Sequence, residues 1–325
     1  MRAVVVTRHG GPEVLRVEDL PDPEPGPGEI VVALGAGGVN FVDVHERQGS
    51  GAHPTRPPFV LGNEGAGAVS AVGAGVQGVE PGDRVAWARQ PGSYAERVVL
   101  PAAAAVPVPP WVTEEDAAAV LLQGMTAQYL TSATYPVRRG DTVLVHAAAG
   151  GTGLLVTQFA RLRGGDVIAT VSTDEKERLA RDAGAVEVIR YDREDVAAEV
   201  ARITQGTGVA AVYDGVGAAT WEASLASLRP RGTMVLFGAA SGPAPAFDPQ
   251  RLQALGSLFL TRPTLAHYIA TREELLERAR IVLGLVATGD LRVRIGGRYT
   301  FDEITHAYAD LESRRTAGKL LVLPK

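Results

Sequence analysis

The chain has 325 residues, with 37 acidic and 32 basic side chains, a formal net charge of −5 and no cysteine. The missing cysteine excludes disulfide staples, thiol nucleophiles, thiolate-held zinc and iron–sulfur clusters. The mild negative balance argues against a nucleic-acid or membrane surface as the main partner, and no apolar run reaches the roughly 18 residues of a membrane span.

From the N-terminus, short apolar runs predict strands at Ala3–Val6, Ile30–Leu34, Val69–Val72, Arg84–Trp87 and Glu96–Leu100. Turn clusters such as Pro21–Gly28 and Pro81–Asp83 split them, which predicts a partly open barrel. The first run passes into charge and proline too early for a signal peptide, so a cytoplasmic location is expected. From about residue 113 the texture changes. Thr113 ahead of Glu114, Glu115 and Asp116 predicts a capped helix start. Strands then alternate with helices. The strands are Thr142–Ala147, Val167–Val171, Val186–Tyr191, Val209–Tyr213, Thr233–Phe237 and Leu258–Thr261. The helices are Gly151–Leu162, Asp174–Ala183, Asp195–Thr204 and Thr220–Leu228. The strands lack clean alternation, as expected when both faces are buried. With crossover helices they predict an α/β, doubly wound parallel sheet that binds a dinucleotide. Helices at Thr271–Ala287 and Phe301–Glu312 and a last strand, Lys319–Leu323, predict a return to the first domain. The expected boundaries are 1–124, 125–265 and 266–325.

The strand at Val143–Val145 runs into Ala148-Ala149-Gly150-Gly151-Thr152-Gly153 and then a helix. Against G-x-G-x-x-G, Ala148 replaces the first glycine and Gly150 and Gly153 fill the others. The second glycine lets backbone approach a pyrophosphate, the third allows close helix–strand packing, and the helix N-terminus offers N–H groups to the anion. Enzymes for NAD place an acid about 20 residues on, at the ribose 2′-OH. Here Val171 ends the next strand, followed by Ser172, Thr173, Asp174, Glu175 and Lys176. With no carboxylate at the strand tip, hydroxyls and a lysine suit a 2′-phosphate, so NADPH is the expected cofactor. Asp174 and Glu175 read as acids capping a helix start. Tyr191 falls at the tip of the third strand, on the adenosine side.

Composition adds two signals. Asn40 and Asn63 are the chain's two asparagines, and Lys176, Lys319 and Lys325 are its three lysines. Scarce Cys, Asn and Met suit a thermophilic protein. The arginine excess fits a GC-rich coding bias equally well.

The stretch from Gly140-Asp-Thr-Val-Leu144 through the glycine turn to Gln158 and Arg161 closely resembles the signature of the quinone oxidoreductase (zeta-crystallin) branch of the medium-chain dehydrogenase/reductase family. Gly38–Asp43, Leu61–Gly65, Pro81–Val85, Gly92–Glu96, Tyr213–Gly217 and Ser257–Pro263 resemble further blocks, so the likeness covers the whole chain. It implies a GroES-like β-barrel, completed by the C-terminal segment, with a Rossmann domain inserted. It implies cofactor contacts from Ala149, Gly150, Gly151, Thr152, Gly153 and Leu154 at the turn. Ser172, Lys176, Tyr191, Val216, Phe237, Gly238 and Arg262 are further expected contacts, with a salt bridge as the other reading of Arg262. It also implies a homodimer formed by pairing the sixth strands, here Ser257–Arg262.

Zinc members of the family place a Cys in the block matching Gly38–Asp43, a His in the block matching Gly62–Glu64 and another Cys near Leu122–Gly124. Here the first two positions are Asn40 and Asn63, and the third region has no thiol. Neutral amides are poor zinc ligands, so no metal is expected. Without a Lewis acid the acceptor must take hydride, or electrons in steps, readily, as a small-molecule quinone does, its charge spreading onto an oxygen. The candidate reaction-site residues are Asn40, Asp43, Asn63 and Thr126. Asn40 either bonds a quinone oxygen, orients the nicotinamide ribose or holds a turn. Asp43 fixes that geometry or caps a helix. Asn63 binds or fills the space of a lost ligand. Glu64 reads as a buried structural partner and His45 as a structural histidine. His146 is expected in a buried strand, His9 and His53 in turns, and His267 and His306 on helices. Two alternatives keep the cofactor: an enone or 2-enoyl-thioester reductase, and a non-catalytic NADPH-binding protein, crystallin-like or RNA-binding. Hydrolase and kinase readings have no motif to stand on, since H-E-x-x-H, G-x-S-x-G and the P-loop lysine are all missing.

Overall fold

In a computed structural model of the chain, which describes residues 1–50 and 54–325, the N-terminal valine run forms β1 (Arg2–Val6). The expectation for His53 lies outside the described residues. Strand β1 pairs antiparallel with β2 (Leu15–Asp19), a strand the sequence reading missed. Then come β3 (Glu29–Val39), α1 (Phe41–Gln48), β4 (Phe59–Val60), β5 (Glu64–Val72), β6 (Arg84–Ala88), β7 (Arg97–Pro101), β8 (Val106–Pro107) and α2 (Glu114–Tyr129).

Strands β3 and β5 are longer than their apolar runs predict. Strand β3 continues through Gly35–Gly38 to Val39, and β5 begins at Glu64 instead of Val69. Glycines outside the apolar runs, Gly37, Gly65 and Gly67, are paired in these strands. The reason is close backbone approach: a Cβ on Gly67 would sit 2.0 Å from the Ala33 carbonyl oxygen.

The next stretch alternates as expected: β9 (Thr142–Val145), α3 (Gly151–Leu162), β10 (Asp166–Val171), α4 (Asp174–Asp182), β11 (Glu187–Arg190), α5 (Val196–Ile203), β12 (Val209–Asp214), α6 (Trp221–Ala226), β13 (Leu228–Leu236), α7 (Gln250–Ala254) and β14 (Phe259–Thr261). His146 lies just past β9 instead of within it, and Leu228 opens β13 instead of closing a helix. The strands form one parallel sheet in the order β11-β10-β9-β12-β13-β14. The chain winds outward from β9 in one direction and from β12 in the other. That reversal is the switch point where doubly wound folds take their ligands, at the carboxyl ends of the strands. Leu144, Ile168, Val212, Trp221 and Met234 are among the buried side chains of its core.

The chain ends in α8 (Arg272–Thr288), β15 (Ile295–Thr300), α9 (Ile304–Glu312) and β16 (Lys319–Leu323). Thr271 caps α8 by accepting the Glu274 N–H at 3.2 Å, and α9 is preceded by a 3₁₀ turn, Phe301–Glu303. Strand β16 pairs antiparallel with β3, setting Leu321 opposite Gly38. The last strand therefore lies in the sheet of β3, in the order β15-β16-β3-β5-β6-β8, with β7 also on β3, while β1 stands in a separate three-stranded sheet, β2-β1-β4. Trp87, Tyr94, Phe301, Tyr308 and Leu320 share its core. The described residues divide into two compact units, Met1–Gln123 with Ile269–Lys325, and Gly124–Tyr268, a division that falls within α2. No helix among the described residues is long and apolar enough to cross a membrane.

Candidate active site and nucleotide cradle

In the first unit, Asn40, Asp43, Asn63 and Glu64 meet in one buried polar cluster. Asn40 stands at the start of α1, where its N–H donates to Asp43 Oδ2 at 2.9 Å. Its side chain is fully used. Nδ2 donates to the Gly38 carbonyl and to Glu64 Oε1, both at 2.8 Å, while Oδ1 accepts from Lys319 Nζ at 2.8 Å and from Gln123 Nε2. An asparagine amide has two donor hydrogens and two acceptor lone pairs, and all four are engaged. Asn63 spends both Nδ2 hydrogens, on Asp43 Oδ1 and Glu46 Oε2, each at 2.9 Å.

Asp43 also accepts from the Tyr94 hydroxyl at 2.8 Å and the Tyr308 hydroxyl at 3.1 Å. Burial pushes its carboxyl above the ordinary aspartate range, and the donors from Asn63, Tyr94 and Asn40 pull it back. Glu64 is closed in as well. It accepts from Lys319 Nζ and Asn40 at Oε1 and from the Leu122 N–H at Oε2, 3.2 Å away. Gly38 leaves it room, since a Cβ there would lie 2.4 Å from Oε1. Burial holds the Lys319 ammonium below the ordinary lysine range, with Glu64 working in the opposite direction.

This donor set does not fit a zinc ion. The two positions where zinc relatives carry ligands are amides already committed to hydrogen bonds. The nearest carboxylate, Glu64, is neutralised by an ammonium. Among the described residues, no group of three His, Cys, Asp or Glu side chains is placed to hold a metal.

In the second unit the expected cofactor residues line the carboxyl ends of the parallel strands. The turn after β9 places Ala147 in the left-handed region, at φ 50°, and α3 starts at Gly151. A Cβ on Gly153 would meet the Ala147 carbonyl oxygen at 2.3 Å and Ala148 Cα at 2.8 Å, so only glycine permits this contact. The N–H groups at the start of α3, Gly151 to Gly153, precede the helix's own hydrogen-bond ladder, which begins with Leu154 donating to the Gly150 carbonyl at 3.0 Å, an arrangement that suits an anion. Ser172 and Lys176 follow β10, and Tyr191 follows β11, exposed. Partial burial lowers the Lys176 amine, with Glu175 raising it. The cap of α4 is Thr173, which accepts the Lys176 N–H at 3.2 Å; Asp174 and Glu175 occupy the first turn without capping it. Phe237 and Gly238 follow β13. Arg262 follows β14, its Nη1 donating to the Leu236 carbonyl at 3.1 Å. Thr126 sits on α2, half-buried.

Val216 is held by a network that sequence reasoning missed. Asp214 Oδ1 accepts the N–H groups of Val216 at 2.8 Å and Gly217 at 3.0 Å. Its Oδ2 accepts hydroxyls from Thr220 and Ser224, both at 2.7 Å. Ser224 Oγ lies 3.1 Å from His146 Nε2, and His146 Nδ1 lies 3.0 Å from Thr170 Oγ1. Ser224 has one proton and gives it to Asp214, so His146 must carry hydrogen on Nε2. Burial lowers the His146 pKa and favours that neutral ring. His146 directly precedes the glycine turn, so the network ties that turn to the loop after β12.

Lys319, Gln123, Tyr94 and Tyr308 also escaped the sequence reading. Lys319 had a usable signal, because lysine, with three residues, is nearly as scarce in this chain as asparagine, with two. Gln123 Oε1 is a buried acceptor with no partner among the described residues.

Two family models match the chain: "Alcohol dehydrogenase GroES-like domain" over residues 26–110 and "Zinc-binding dehydrogenase" over residues 151–279. A quinone oxidoreductase of Pseudomonas aeruginosa is 46% identical, over 97% of each chain. Among solved structures, a mycobacterial protein complexed with NADPH is 50% identical, with full coverage of both chains and a TM-score of 0.96. The Escherichia coli quinone oxidoreductase complexed with NADPH is 40% identical, again with full coverage and a TM-score of 0.97. With this fold, this glycine turn and full-length identity of this order, the chain belongs to the quinone oxidoreductase family of medium-chain dehydrogenases/reductases.

Proposed function

We propose that this protein is a zinc-independent NADPH:quinone oxidoreductase, with residues 125–265 as its NADP-binding domain and the rest as its catalytic domain. One observation carries the reading: the positions of two zinc ligands hold Asn40 and Asn63, locked into a cluster closed by Lys319 and Glu64. A site without a Lewis acid suits an acceptor that stabilises added charge by itself. NADPH, when bound, supplies two electrons and a hydrogen, and with one proton from solvent a quinone becomes a hydroquinone.

The residues divide by task. The turn from Ala149 to Leu154 takes the pyrophosphate, and Ser172, Lys176 and Tyr191 take the adenosine 2′-phosphate end. Val216, Phe237, Gly238 and Arg262 lie along the nicotinamide half, and Thr126, at the start of the second domain, belongs near the nicotinamide. Asn40 and Asp43 act as positioning residues, because their hydrogen-bonding capacity is spent inside the cluster. Asn63 supports the same cluster through Asp43 and Glu46, and Gln123 through Asn40.

Anaerobic NADPH oxidation with 1,4-benzoquinone, 9,10-phenanthrenequinone and crotonyl-CoA, run in parallel, tests this. Turnover with the quinones and at least about tenfold less with crotonyl-CoA is expected, since a saturated thioester product also requires protonation at carbon. Turnover with crotonyl-CoA alone favours the enoyl-thioester alternative, and tight NADPH binding with no turnover favours a binding protein.

A homodimer through β14 belongs to the same proposal. Strand β14 is an edge of its sheet and presents Phe259, 62% exposed. Phe259→Lys should convert the dimer to a monomer in size-exclusion chromatography with light scattering, and an unchanged mass would remove β14 from the interface.

A further inference from the structure

At the adenosine end of the cradle stands a cation that the glycine turn and Lys176 do not account for. Arg190 ends β11, opposite Val171 at the tip of β10. It is only 8% exposed, and its Nη2 donates to the Ser172 carbonyl at 3.0 Å. Two carboxylates balance its charge, and they differ. Asp192 grips it from two residues away as a fork, with Nε and Nη2 each 3.0 Å from an oxygen. That grip fixes the plane of the guanidinium. Asp174 contacts Nη1 with one oxygen, its side chain is 84% exposed, and Arg193 lies 4.0 Å away on the same oxygen. Asp174 is thus an anion held on a fixed arginine, largely in water.

In doubly wound folds the tip of the second strand is where the adenosine ribose lies, and a nearby arginine is one means of accepting a 2′-phosphate. We propose that Arg190 discriminates NADPH from NADH, and that Asp174 is a resident anion which the 2′-phosphate displaces. The inference rests on the NADPH reading above. A phosphate monoester carries more charge and more acceptor oxygens than a carboxylate, so the exchange favours it. The 2′-hydroxyl of NADH cannot make the exchange. Asp174 therefore holds down NADPH affinity, and the two residues act with opposite sign. A merely structural ion pair would lower stability on loss of either partner and leave cofactor preference alone.

Arg190→Gln, Asp174→Asn and the double variant should be titrated with NADPH, NADH and 2′,5′-ADP by calorimetry. Loss of a charge-assisted hydrogen bond predicts that Arg190→Gln weakens NADPH and 2′,5′-ADP by about tenfold or more and changes NADH by less than about twofold. Asp174→Asn should tighten NADPH by about two- to tenfold, and that gain should vanish in the Arg190→Gln background. Equal effects on both cofactors, no effect in a folded Arg190→Gln, or a gain that persists without Arg190 overturns the inference. If Arg190→Gln does not fold, an unchanged NADPH-to-NADH ratio in Asp174→Asn overturns it alone. Lys176→Ala separates the two levels. If it collapses the preference while the Arg190 and Asp174 variants do not, the NADPH reading stands and this inference falls. Wild-type protein that binds NADH as well as NADPH sinks the reading itself.

Discussion

Lys319→Met should lower the unfolding free energy by about 3–5 kcal/mol, the cost of stranding one partner of a buried ion pair. Lys319 is 4% exposed and Glu64 is wholly buried. Methionine keeps most of the volume and removes the ammonium. Glu64 would then face only the Asn40 amide and the Leu122 N–H, and Asn40 Oδ1 only Gln123. The double variant Lys319→Met, Glu64→Leu should recover much of the loss, because an apolar pair of similar size often does as well as a buried ion pair. Urea unfolding of the four proteins in that cycle gives the coupling directly. Additive losses would mean that Lys319 and Glu64 do not act as a unit, and that the amides are held by something else.

Gly153→Ala should all but abolish cofactor binding. The added carbon would lie 2.3 Å from the Ala147 carbonyl oxygen and 2.8 Å from Ala148 Cα. Both are backbone atoms, so no side chain can swing aside. The turn must open or α3 must withdraw from β9, and either displaces the N–H groups aimed at the pyrophosphate. A 1 Å misplacement can cost about 100-fold, so the NADPH dissociation constant should rise by at least about that factor. Gly150→Ala is the contrasting variant: its Cβ would lie 3.2 Å from the same oxygen, so it spares the helix–strand contact and crowds the pyrophosphate directly. Fluorescence titration with NADPH, alongside circular dichroism for folding, reads both. A folded Gly153→Ala that binds NADPH like wild type would show that the close helix–strand contact is dispensable.

The second unit was legible because its signals are local. Strands buried on both faces are unbroken runs of Val, Ile and Leu, and the glycine turn sits between one such run and a helix. The first unit hid part of its sheet. Gly35–Gly38 and Glu64–Ala68 fall outside the apolar runs, because glycine there answers to close approach across the sheet, as of Gly67 to Ala33 and of Gly38 to Glu64. The polar cluster divides the same way. Asn40 and Asn63 were visible through scarcity and block position. Lys319 carried the same scarcity but read as the start of a final strand, because Glu64 is 255 residues away in sequence. Arg190 falls inside the predicted strand Val186–Tyr191, where nothing local marks it out. Its meaning lies in Ser172 and Asp174, which reach it only when β10 and β11 pair.

If Asn40 and Asn63 take the places of zinc ligands and Lys319 engages Glu64 beside them, catalysis should be indifferent to metal. The direct measurement is anaerobic oxidation of NADPH by 1,4-benzoquinone after exhaustive dialysis against 1,10-phenanthroline, with zinc content measured on the same sample. Turnover within about twofold of the untreated enzyme, at zinc below about 0.1 per chain, is the predicted result. A rate that disappears on dialysis and returns with added zinc would contradict it.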